Sequence, residues 1–162
     1  MPTVVARPEQ HYAGYRTTIG VDGLREVAHR IAAIVGELAA RGVPPADAPF
    51  FRYLVLGPGM RSLTVEAGVP VAAPVELGGE YVTGVVPSGK YVVETHHGAP
   101  DGLAAATAAV LEWGEREGIR WDRTEEADGE HWAGRLEVYR TDPRAEPDAT
   151  RWETDLYFRL AD

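Results

Sequence analysis

The sequence predicts an α+β fold in which one β-α-β-β unit is used twice, building a curved antiparallel sheet with two helices on one face and a central groove at a pseudo-twofold axis. Three observations carry this. Apolar residues recur at helical spacing in two separate stretches. Both stretches open on the same tripeptide, Asp22-Gly23-Leu24 and Asp101-Gly102-Leu103, 79 positions apart. Each is preceded by one strand-like run and followed by two more.

The first unit begins with a β-like run over residues 11–19. Leu24, Val27, Ala28, Ile31, Ile34, Val35 and Leu38 then form an amphipathic helix, with Asp22 as N-cap and Gly42, Pro44 and Pro45 as the stop. Strands over residues 50–56 and 62–71 follow, joined by Gly57-Pro58-Gly59. A bridging strand over residues 80–86 ends at the turn Pro87-Ser88-Gly89.

The second unit repeats this order. Tyr91, Val92 and Val93 mark a strand over residues 90–95. Leu103, Ala106, Val110 and Trp113 mark the helix, capped by Asp101 and stopped by Gly118. An acidic insertion, residues 125–130, precedes strands over residues 132–140 and 151–160, which join through a turn at Asp142-Pro143. The chain thus reads as a single domain over residues 1–162, with pseudo-repeats at about 10–78 and 79–162.

Composition narrows the function. The net charge of −9, from 25 acidic against 16 basic residues, repels phosphate backbones, so nucleic-acid binding is not expected. Lys90 is the single lysine, and the arginines are scattered without forming a patch. There is no cysteine, hence no disulfide, thiolate metal site or cysteine nucleophile. The N-terminal residues lack an apolar signal core, and no apolar run approaches the roughly 18 residues of a membrane helix. A cytoplasmic location without membrane contact is the expectation.

Several segments together resemble a known family. They are Pro87-Ser88-Gly89-Lys90-Tyr91-Val92-Val93, His97-Gly98-Ala99-Pro100-Asp101-Gly102-Leu103, Leu111-Glu112-Trp113, Leu136-Glu137-Val138-Tyr139, Thr141-Asp142-Pro143 and Thr154-Asp155-Leu156-Tyr157. In this order they are similar to the GyrI-like domain, which also forms the effector-binding half of bacterial multidrug-responsive transcription activators. The resemblance covers the whole chain and is closer in the second half. It implies the duplicated fold, an aromatic-lined groove with an acidic residue, and sensing or sequestering of lipophilic cations. Some free-standing members resemble hydrolases that open the cyclopropane of DNA-alkylating natural products. No helix-turn-helix is recognisable, so a stand-alone form is expected.

Glu137 is the first candidate site residue. Strand alternation puts Arg135, Glu137 and Tyr139 on one face and Leu136 and Val138 on the other. If Leu136 and Val138 pack under the helices, Glu137 and Tyr139 point together into the groove. The resemblance assigns the family's acidic ligand-binding residue to this position. A partly desolvated carboxylate attracts an organic cation, and neighbouring rings add about 0.5–2 kcal/mol each.

Asp155 shares a face with Tyr157 and corresponds to Glu66 across the repeat, a shorter acid where the family often has glutamate. Trp132 and Trp152 start the last two strands and flank the groove, with Tyr53 and Tyr91 as weaker wall candidates. His96 and His97, adjacent on a strand, point to opposite faces, so no metal site is expected, and His97 is assigned to the glycine turn. Neither a phosphate loop nor a nucleophile elbow is present, and no cofactor is implied.

The expected function is therefore promiscuous binding of small aromatic or lipophilic cationic compounds. The alternative is a hydrolase using the same groove on cyclopropanoid compounds, with Glu137 as general base and Tyr139 steadying the oxyanion. A protein partner is unmarked, apart from the acidic segment 125–130.

Overall fold

The computed structural model describes residues 1–162, the side chain of Val21 excepted. In chain order the elements are strands β1 (Thr3–Arg7) and β2 (Gln10–Ile19), helix α1 (Leu24–Ala40), strands β3 (Phe50–Leu56), β4 (Leu63–Pro70), β5 (Val82–Val86) and β6 (Gly89–His97), helix α2 (Leu103–Arg116), and strands β7 (Arg123–Glu126), β8 (Gly129–Trp132), β9 (Arg135–Tyr139) and β10 (Glu153–Arg159).

The ten strands make one antiparallel sheet in the order β1-β6-β10-β9-β3-β4-β2-β5, with the β7–β8 hairpin joined to β3 through β8. Its symmetry is visible in that order. Strands β3, β4 and β2 of the first unit mirror β9, β10 and β6 of the second about the β3–β9 seam. The strand that leads each unit crosses to the other: β1 pairs with β6, and β5 pairs with β2. Pro8 and Pro87, also 79 positions apart, follow these two strands and end them, since proline has no N–H to continue a ladder.

Both helices cover the same face. Val27, Ile34 and Leu38 of α1 and Leu103 and Val110 of α2 join a core with Phe51, Val65, Leu156 and Phe158 from the sheet. Each fully buried side chain of this kind contributes about 2 kcal/mol. Ala28 departs from the expected stripe and is exposed, because the buried stripe narrows to the Val27, Ile34 and Leu38 line. Both helices end as expected, at Gly42 (φ 70°) and Gly118 (φ 73°), each followed by an amide that bonds back to a carbonyl of the last turn.

Four sequence expectations are corrected. Asp22 and Asp101 are not N-caps: short 3-10 turns, Val21–Gly23 and Pro100–Gly102, lead into the helices and put both carboxylates in the first turn, facing the positive end of the dipole. The acidic insertion at 125–130 is not a loop but the β7–β8 hairpin, turned at Ala127-Asp128. The strand expected over 132–140 is two strands. It breaks at Ala133-Gly134 because the Ala133 carbonyl accepts from Arg52 Nη2 (2.8 Å) and a side chain at 134 would meet the Tyr91 hydroxyl at 2.7 Å. Strand β1 was not expected; it takes its pairing from β6, far away in sequence.

The opposite face of the sheet carries a second core of Tyr12, Phe50, Val86, Tyr91, Leu136 and Val138. Leu136 and Val138 therefore lie away from the helices, the reverse of the packing considered from sequence. Among the described residues no helix is long and apolar enough to cross a membrane.

Candidate functional site

Glu137 lies at the middle of β9, opposite Phe51 on β3 and Leu156 on β10. Residues directly opposite share a face, and both of these neighbours belong to the helix-side core. Glu137 and Tyr139 thus face the helices. Helix α1 packs over β2 and β4, and α2 over β6, so the central β3–β9 seam runs between them as a groove floor.

Two phenols hold the carboxylate. The Tyr53 hydroxyl donates to Glu137 Oε1 at 2.9 Å and the Tyr139 hydroxyl to the same oxygen at 2.8 Å. Both bonds fall on Oε1, and neither phenol reaches Oε2. Burial first, and then the charge of Glu137, push both phenols well above their ordinary range, so they stay neutral donors. The Tyr139 ring meets Phe51 edge-on with centroids 5.2 Å apart.

Arg135 extends the cluster. Its guanidinium carbon lies 5.1 Å from the Trp132 ring centroid, 5.3 Å from Phe158 and 5.8 Å from Tyr53. Burial lowers its pKa, and Tyr53, Glu130 and Glu137 act the other way. Of the sequence candidates, the structure thus brings Glu137, Tyr139, Tyr53 and Trp132 to one place. Arg135, Phe51 and Phe158 join them without having been singled out. The alternation that paired Glu137 with Tyr139 already put Arg135 on their face.

The other candidates lie elsewhere. Asp155 and Tyr157 alternate with Leu156 and Phe158 of the helix-side core, so they face the opposite side of the sheet. Asp155 accepts from Thr95 Oγ1 (2.6 Å) and Arg140 Nε (2.8 Å). Its cross-strand pair with Thr95 occupies the place that Arg16 and Glu66 hold in the first unit. Tyr91 is buried on that same far face, its hydroxyl donating to the Pro87 carbonyl at 2.6 Å. Trp152 donates from Nε1 to the Glu146 carbonyl at 2.7 Å and pins the loop before β10. It is His96, not His97, that bonds the turn, through Ala99 O at 3.0 Å; His97 Nδ1 lies 3.7 Å from Glu153.

Two cavities form away from Glu137. One of about 270 Å³ lies beside the hairpin, lined by Arg123, His131 and Trp132 among others. The second, about 530 Å³, lies between α2 and β6, with Trp113, His96 and Glu94 in its wall. Glu137 lines neither.

A carboxylate held by two phenols thus lies on the seam of a duplicated β-α-β-β sheet. Residues 61–161 match the model of the GyrI-like small molecule binding domain, and the chain belongs to that family. Three solved proteins share the fold. The C-terminal domain of EcmrR aligns at a TM-score of 0.78 with 17% identity, covering 100% of this chain and 98% of that one. Against EcmrR in its DNA complex the TM-score is 0.79 at 17% identity, and the match covers 100% of this chain but only 57% of that one. SAV2435, solved bound to tetraphenylphosphonium, aligns at 0.68 with 10% identity, covering 99% of this chain and 94% of that one. A hydrolase from Listeria innocua aligns at 0.62 with 13% identity, covering 99% and 91%. No curated protein matches the chain.

Proposed function

We propose that the groove over the β3–β9 seam binds small aromatic molecules, lipophilic cations among them, with Glu137 supplying the charge and Tyr53, Tyr139, Trp132 and Phe51 the walls. The observation that carries this is the Glu137 carboxylate, fixed through Oε1 by two tyrosine hydroxyls on the face between the helices. A bulky delocalised cation loses little hydration on entering, and a carboxylate in a medium less polar than water attracts it strongly. Aromatic rings add cation–π attraction without demanding a fixed hydrogen-bond pattern, which suits a binder of several related compounds. SAV2435, similar in fold, holds a lipophilic cation of this kind. Asp155, Tyr157, Tyr91 and Trp152 take structural roles in this reading.

The test is a fluorescence titration with a cationic rhodamine ester. Wild-type protein binds it at micromolar concentration, and Glu137→Gln weakens binding about tenfold or more. Equal affinity in the variant removes Glu137 from the site.

A second reading, hydrolysis, draws on the same carboxylate with Tyr53 and Tyr139 kept protonated beside it, and on the fold shared with the Listeria hydrolase. Glu137 would take a proton from water while a phenol donates to the developing oxyanion. Incubation with a cyclopropanoid substrate decides: an unchanged substrate after hours ends this reading.

A further inference from the structure

Arg135 is a cation inside a groove whose proposed ligands are cations. It stands two residues before Glu137 on the same strand face, about 7 Å away along the strand. The influences on its charge are burial and four neighbouring charges, and no hydrogen bond is among them. Among the described residues no carboxylate oxygen lies within 4 Å of its guanidinium, whereas Arg123, Arg140 and Arg159 each have such a partner.

The two carboxylates that Arg135 feels each turn one oxygen to other donors. Glu130 Oε1 accepts from Arg123 Nη1 (3.1 Å) and Trp132 Nε1 (2.7 Å). Glu137 Oε1 accepts from Tyr53 and Tyr139. The guanidinium is instead packed among the rings of Trp132, Phe158 and Tyr53. Stacking fixes its plane but leaves its N–H donors unused, a planar fork with no acceptor. Arg135 is half-buried, so part of the side chain remains open to solvent.

We propose that Arg135 makes this groove selective for aromatic ligands that carry an anionic oxygen group, such as a carboxylate, so that zwitterions are preferred to simple cations. The inference rests on the groove being the binding site. A bare cation near Glu137 is attracted by one charge and repelled by the other. A zwitterion satisfies both, its positive ring system facing Glu137 and its carboxylate accepting from the fork of Arg135.

Rhodamine B and its ethyl ester test this, because they share a ring system and differ in whether the carboxylate is free. Wild-type protein binds rhodamine B about tenfold tighter than the ester. Arg135→Met abolishes that preference, weakening rhodamine B and strengthening the ester. Arg135→Lys keeps the charge but loses the planar fork, so the preference shrinks without vanishing; with the wild-type pair it decides the matter if the Met variant does not fold. Equal or tighter binding of the ester to wild type overturns the proposal, as does a carboxylate preference that survives in Arg135→Met. If both probes bind and both respond to Glu137→Gln without a carboxylate preference, the groove stands and only the role of Arg135 falls. If neither probe binds wild type, both fall.

Discussion

The Tyr53 hydroxyl reaches across the seam between the two units and donates to Glu137 Oε1 at 2.9 Å. This bond ties β3 of the first unit to β9 of the second at the groove floor, and Tyr139 adds a bond of 2.8 Å from within β9. The phenols pay no ionisation cost at neutral pH, and each satisfies a lone pair of an acid that is itself half-buried.

A pH dependence follows. Tyr53 and Tyr139 ionise far above the ordinary phenol value of about 10, through burial first and Glu137 second. A group whose folded-state pKa is raised gives stability that is fully present below its unfolded value and is lost as pH rises through the folded one. The fold therefore loses this contribution only in strong alkali, above about pH 10. Glu137→Gln removes the nearby negative charge and brings both phenols down. Ultraviolet difference titration reads the change directly; alkaline curves that superimpose for wild type and variant contradict it.

Glu66 provides the contrasting acid. It is buried on the far face, where Tyr12 donates to Oε1 and Arg16 Nε to Oε2 at 2.8 Å. Arg52 in turn donates to the Tyr12 hydroxyl at 2.8 Å and to the carbonyls of Val85 and Ala133. Glu66→Ala leaves the buried Tyr12 hydroxyl without its acceptor, at a cost of about 2 kcal/mol. Thermal unfolding shifts down by about 6 °C, while probe binding at the opposite face is unchanged. A variant that loses probe binding at an unaltered melting temperature shows instead that Glu66 belongs to the site.

How far the sequence reached depends on the range of each interaction. Helix positions follow from local periodicity and glycine stops, so Val27, Ile34, Leu38 and Val110 are legible. Strand alternation was equally legible: it grouped Glu137 with Tyr139 and Arg135. What alternation cannot supply is which face meets the helices, because that depends on strands β3 and β10 lying beside β9. Asp155 and Tyr157 have the same acid-x-tyrosine spacing as Glu137 and Tyr139. Register puts Leu156, not Asp155, opposite Glu137, so the two acids face opposite sides. Strand β1 was hidden for a similar reason, since its partner β6 begins 82 positions after β1 ends, at residue 89 against residue 7. The tripeptide repeat pointed to the duplication but not to the crossing of β1 and β5.

The hairpin β7–β8 carries its own pH response. His131 Nε2 lies 2.6 Å from Asp128 Oδ1, and its Nδ1 lies 3.6 Å from Glu126, so one imidazole links the turn to the opposing strand. The hydrogen bond to Asp128 is the leading influence that raises the His131 pKa, and the same bond lowers that of Asp128. For His131 the contribution is fully present below about pH 6.5 and is lost as pH rises through its folded value. For Asp128 it is present above about pH 4 and is lost as pH falls through its lowered folded value. The hairpin is therefore tightest between these limits. Amide protection at Glu125 to Glu130, taken relative to the intrinsic exchange rate, is greatest within that window and falls as the pH rises to neutral. Asp128→Asn brings the His131 imidazole titration, followed by its ring proton shifts, back toward the ordinary value. An unmoved His131 titration in that variant assigns the shift to Glu126 instead. Because Trp132 at the end of β8 stacks with Arg135, loosening the hairpin also loosens one wall of the groove, so probe affinity falls as the pH rises through the His131 pKa.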